Sequence, residues 1–81
     1  MTASEFRQKR LLDRFGIVET KGIALAKRKH GSFNVELYSI DDFYVEIWKK
    51  VGLNIIHWIE TVDKKNLEYY TDQINLDNLE D

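Results

Sequence analysis

Few side chains in this sequence are of a type that does chemistry, and none stand at a spacing that would let them cooperate. There are two histidines, His30 and His57, and no cysteine in 81 residues. Catalysis needs convergent groups with tuned pKa values. His30 falls in a hairpin tip, where a histidine is solvated. His57 falls in a strand, where it reads as a cross-strand partner. No His/Asp/Glu set has metal-ligand spacing on a shared helix face. Asp41-Asp42 is the adjacent acidic pair that a turn favours, because Asp bonds its own backbone there. Gly16, Gly22, Gly31 and Gly52 are scattered single stops with no phosphate-loop pattern. The expectation is a non-enzymatic chain with no catalytic, cofactor or metal residues. What remains is recognition by aromatic and basic groups, and that depends on how the elements place them.

The placing elements centre on residues 33–48, FNVELYSIDDFYVEIW. Phe33, Val35 and Leu37 alternate with Asn34, Glu36 and Tyr38; Phe43, Val45 and Ile47 alternate with Tyr44, Glu46 and Trp48. Period two on both sides of a polar break marks two antiparallel strands. Before them, Ser4 as N-cap, a Leu11/Leu12/Phe15 stripe and Gly16 as stop predict a helix over 4–15, with Phe6 off the stripe. A strand follows over 22–29. A two-residue His30-Gly31 loop would set Ala24 and Ala26 beside Leu37 and Val35. A three-residue Lys29-His30-Gly31 loop sets Ile23 and Leu25 there instead, and is favoured because it gathers the large apolar residues.

The second turn must have even parity if Leu37 and Phe43 share a face. At Val51-Gly52, a two-residue loop pairs Glu46 with His57 and leaves Ile55, His57 and Ile59 on the second face. A three-residue loop reverses the faces and buries His57. The first is favoured because it spares an imidazole from burial. Asp63 would cap a last helix over 64–74 striped by Leu67, Tyr70 and Ile74, with Leu76 and Leu79 in a docked turn. The expected fold is α+β: a single domain over 1–81, a four-stranded antiparallel meander with an N-terminal and a C-terminal helix, in the order α-β-β-β-β-α.

On this layout the second sheet face carries Tyr38, Tyr44, Trp48, Ile55 and Ile59, and two helices on the opposite side would leave it open. Exposed patches of this kind mark interfaces. If instead one helix covers each face, all of this is core. Strand three ends where strand two begins, so Lys49 and Lys50 should neighbour Lys27, Arg28 and Lys29. A basic rim beside aromatics is the composition of a single-stranded nucleic-acid platform. Against that stand a pI of about 5.6 and Glu36 and Glu46 on the same face.

Composition sets the remaining bounds. The chain is 43% hydrophobic and 32% charged, ordinary globular material. A core this small gains from self-association. Residues 1–31 carry +5, residues 32–62 carry −3 and residues 63–81 carry −4. Such blocks read first as solvated surface in which the two ends attract. The opening MTASEFRQKR has no apolar signal region, and no apolar run approaches membrane-spanning length. A cytoplasmic protein with no membrane partner is expected.

DFYVEIW and LEYYTDQINLDNL resemble a family of short bacterial proteins, chiefly from the Bacteroidetes, with no established function. The resemblance implies a small cytosolic domain and carries no catalytic residues. Four strands followed by a helix is also the order of a PUR repeat, a nucleic-acid-binding and dimerising module, a likeness of topology only. The reading that follows is a protein-interaction module, homodimeric through its aromatic sheet face, with single-stranded nucleic-acid binding as the alternative.

Overall fold

The structure is a computed structural model that describes residues 1–74. Its sheet has the expected order, β1 (Ile23–His30), β2 (Phe33–Ile40), β3 (Phe43–Lys50) and β4 (Ile56–Val62), every neighbour antiparallel. Helices precede it and a 3-10 helix, Lys64–Tyr70, follows, so the fold is α+β. Leu76 and Leu79 lie outside the described residues.

The expected first helix is two helices. α1 (Ala3–Arg7) is capped by Thr2, not Ser4, through a reciprocal box: Glu5 N–H donates to Thr2 Oγ1 at 3.1 Å and Thr2 N–H donates to Glu5 Oε1 at 2.7 Å. α2 (Leu11–Lys21) runs through Gly16, because Leu11, Arg14, Phe15 and Val18 continue one buried stripe past it. It stops at Gly22, whose N–H donates to the Val18 carbonyl at 2.8 Å. A Cβ on Gly22 would lie 2.5 Å from that same oxygen. Phe6, off the predicted stripe, is fully buried with its ring 5.7 Å from Phe43, and the bend at residues 8–10 puts it there.

The first and third turns differ from expectation, and the second, at Asp41-Asp42 as expected, sets the faces the other way. The first is Gly31-Ser32, with His30 opposite Phe33 and Gly31 at φ +59. A register shift between Ala24 and Ala26 then lets both Leu25 and Ala26 pack on the same core. The second turn is Asp41-Asp42, with Asp41 at φ 52 and Ile40 opposite Phe43. Aspartate tolerates that left-handed conformation, which a hairpin of this length needs. Its parity puts Leu37 opposite Glu46, on the reverse side from Phe43, Val45 and Ile47. The third connection spans Val51–Ile55, and a shift at Trp48/Lys49 sets Ile59 opposite Ile47 and Glu60, not His57, opposite Glu46.

Both sheet faces are therefore covered. On the first, α1 and α2 close over Ile40, Phe43, Val45, Ile47 and Ile59, with Phe6 and Val18. On the second, Leu67 and Tyr70 of the 3-10 helix pack on Leu37, flanked by Leu25, Tyr44, Val62 and Ile74. The open second face expected from two helices on one side does not exist.

The outer strands are also shielded, which removes sites for unwanted strand pairing. On β1, Lys27 N–H donates to Gln73 Oε1 at 2.9 Å, and Gln73 Nε2 donates back to the Lys27 carbonyl. On β4, Arg14 Nη1 donates to the Ile59 carbonyl at 2.6 Å.

Candidate functional site

The residues expected to form one aromatic face are dispersed by the turn parities. Ile59 is buried in the first core. Tyr38 lies on the helix-covered face, half-buried beside that core, and its hydroxyl donates to Glu36 Oε1 at 3.0 Å. Burial, with the Glu36 carboxylate alongside, pushes its pKa up to about 12. Tyr44 lies on the opposite face against the 3-10 helix. Ile55 is in the β3–β4 loop, and only Trp48 remains where an open face was expected.

The basic rim is dispersed too. Lys27 and Lys29 pair with Glu36 and Asn34 on the first face, and Lys49 Nζ sits 3.3 Å from Glu36 Oε2. Arg28 turns to the second face and meets Glu46: Nη2 is 3.2 Å and Nε 3.3 Å from Oε2. The Tyr70 hydroxyl donates to the same oxygen at 2.5 Å. Glu46 is 1% exposed, so this is a buried carboxylate neutralised by a cation. Burial opposes the Arg28 charge, but its bonds to Tyr70 and Glu46 outweigh that and raise its pKa further. The guanidinium also lies 4.4 Å from the Tyr69 ring and 5.3 Å from the Trp48 ring.

Beyond this cluster the second face ends in a groove of about 390 Å³ lined by Phe33, Trp48, His57, Trp58 and Glu60. Phe33 packs edge-on to Trp48 at 5.6 Å and 5.1 Å from His57. Trp48 Nε1 is buried there with no hydrogen-bond partner among the described residues. Trp58, 44% exposed, forms the outer wall and is braced by the Arg14 guanidinium at 4.9 Å. Lys50 Nζ stands 5.2 Å from the Phe33 ring and donates to Ser32 Oγ at 3.1 Å.

Phe33 and Trp58 lie on the second face, outside the expected patch, because the observed registers set Phe33 opposite Lys50 and Trp58 opposite Trp48. One parity error per hairpin exchanged them with Tyr38 and Ile59. The usable signal was Trp58 itself, a large aromatic on a last strand with no strand beyond it. His30 and His57 are both exposed and lie on the two sides of Phe33 and Trp48, with no carboxylate among the described residues bonded to either. Among the described residues no group of three His, Cys, Asp or Glu side chains is arranged to hold a metal ion, and no helix is long and apolar enough to cross a membrane.

The fold is α+β, and its second sheet face ends in a groove lined mainly by aromatic side chains. No protein-family model, curated protein or solved structure matches the chain, so the geometry alone carries the functional argument.

Proposed function

We propose that this chain is a non-enzymatic interaction module that self-associates through the aromatic end of its second sheet face. The observation that carries the reading is Trp58, a half-exposed indole standing beside the Phe33/Trp48 groove. Burying such rings recovers roughly 25 cal/mol per Å² of apolar surface. A second copy suits the groove because its borders carry both signs, Lys50 on one side and Glu60 on the other. A two-fold axis brings Lys50 of one copy toward Glu60 of the other, an isologous and self-complementary contact. Trp58→Glu should weaken the dimer by about 30-fold or more, the scale of a tryptophan anchor, and leave the melting temperature near its parent value. Light scattering across a concentration series decides it. A parent protein that stays monomeric at high micromolar concentration removes the reading.

Single-stranded nucleic-acid binding is the second reading, supported by Lys50, whose Nζ lies 5.2 Å from the Phe33 ring beside Trp48. It is the weaker one, since Arg28 and Lys49 are already paired with Glu46 and Glu36. It requires oligonucleotide affinity that falls steeply with salt and drops on Lys50→Glu.

A further inference from the structure

We propose that the joined tips of the β1–β2 and β3–β4 hairpins form a docking surface for an anionic lipid bilayer. In this arrangement Val51, Leu53 and Ile55 enter the acyl boundary, and Lys29 and Lys50 meet the headgroups. The aliphatic tip lies outside the aromatic groove, with Lys50 bordering both, and a change at Leu53 tests the tip separately from the groove.

Three observations converge. The β3–β4 loop projects aliphatic side chains into solvent, with Val51 43%, Leu53 65% and Ile55 58% exposed. These are not the stray apolar residues of an ordinary surface, since all three sit on one loop. The loop is also held in shape. Lys50 N–H donates to the Ile55 carbonyl at 3.0 Å, Asn54 N–H to the Lys50 carbonyl at 3.1 Å, and Val51 N–H to Ser32 at 2.9 Å. Gly52 and Asn54 take the left-handed conformations the bend needs. The tip is presented by backbone bonds to its own hairpin and to the neighbouring one, so little ordering is required on insertion.

The third observation is charge. Residues 27–35 and 49–59, the two ends that meet here, hold Lys27, Arg28, Lys29, Lys49 and Lys50 and not one carboxylate, in a chain whose net charge is −2. Of the nearest acids, Glu36 is engaged with Lys49 and Glu46 with Arg28, and Glu60 lies opposite Glu46 on β4, one residue beyond this carboxylate-free stretch. Lys29 and Lys50 lie exposed at the ends of β1 and β3 that lead into the two turns.

This combination selects the occupant. Two copies meeting tip to tip would oppose lysines to lysines, which disfavours a self-contact here. Nucleic acid would meet the lysines, but aliphatic side chains offer no π-face for a base to stack on. An anionic bilayer satisfies both halves, taking apolar groups below the headgroups and cations at their level.

Sedimentation of the purified full chain with vesicles tests it. The protein should pellet with phosphatidylcholine vesicles containing about 30 mol% phosphatidylglycerol, and not with phosphatidylcholine alone. Binding should fall several-fold on raising salt. Leu53→Glu should abolish it while leaving both the melting temperature and the oligomeric state of the parent, and Lys29→Glu should weaken it several-fold. Failure to pellet with anionic vesicles at low salt, or equal pelleting by Leu53→Glu, overturns the proposal. A protein that ignores vesicles yet binds single-stranded oligonucleotide gives the basic end to nucleic acid, and overturns it as well.

Discussion

The guanidinium of Arg28 lies 3.2 Å from the carboxylate of Glu46, two strands away across β2, and the pair is almost fully withdrawn from water. Neither could occupy the site alone, because a lone buried charge is far costlier than a paired one. Tyr70 completes the site by donating to the carboxylate, so the pair also fastens the 3-10 helix to the sheet.

Removing one member should therefore destabilise far more than removing both. Arg28→Ala leaves a buried carboxylate without its cation and should cost about 3–5 kcal/mol. The double variant Arg28→Met/Glu46→Leu should be less destabilised than either single change, since no charge is left buried. Urea denaturation of the three variants measures this. Arg28→Ala within about 0.5 kcal/mol of the parent, the level of an ordinary surface change, would mean water reaches the pair freely.

Stability should also fall at alkaline pH. Burial raises the phenols of Tyr38 and Tyr70 above their ordinary value of 10.0, that of Tyr38 to about 12. Above the unfolded value, the unfolded chain has released protons that the fold still holds. Their stabilisation is thus complete below pH 10.0 and is lost as pH rises toward about 12. Melting temperatures from pH 8 to pH 11, roughly spanning the unfolded phenol value, should decline. The decline should be shallower in the Tyr38→Phe/Tyr70→Phe variant. An identical slope would assign the loss to other groups.

Arg14 holds the corner between the helices. Its Nε donates to the Lys9 carbonyl at 3.0 Å, Nη2 to Arg7 at 2.8 Å and Nη1 to Ile59 at 2.6 Å. These join the end of α1, the bend and the outer edge of β4 through one planar fork, a geometry a lysine cannot reproduce. Arg14→Lys should cost about 2–3 kcal/mol, on the scale of a lost charged hydrogen bond. It should also speed amide exchange in α1 before the sheet, read by hydrogen exchange. Uniform exchange with unchanged stability would show that the apolar contacts of Phe6 suffice.

Alternation in FNVELYSIDDFYVEIW was enough to specify two strands, and the helical character of the N-terminal segment was present in local pattern, although its division into two helices was not. Thr2 and Glu5 stand at the capping-box spacing, but Ser4 was the cap read from the sequence. Leu67, Tyr70 and Ile74 shared a stripe in the sequence and share a core in the structure. Local pattern suffices there because propensity, capping and periodicity all act within a few residues of the chain.

Facing could not be read in the same way. Side chains alternate with period two, so one residue more or fewer in a turn exchanges every side chain across the sheet. Both alternations of β3 were rich enough in large groups to be buried, so pattern alone offered no reason to prefer a parity. The decision came from groups distant in sequence. The 3-10 helix roofs Leu37, α2 covers Ile59, and Arg28 crosses to Glu46 only because Gly31-Ser32 turns the hairpin with Val35 opposite Arg28. Chain pattern alone determined the strands and their order. Packing of both helical layers on one sheet decided which aromatics stayed in solvent, because burial is a property of what lies across a face and not of the residue that occupies it.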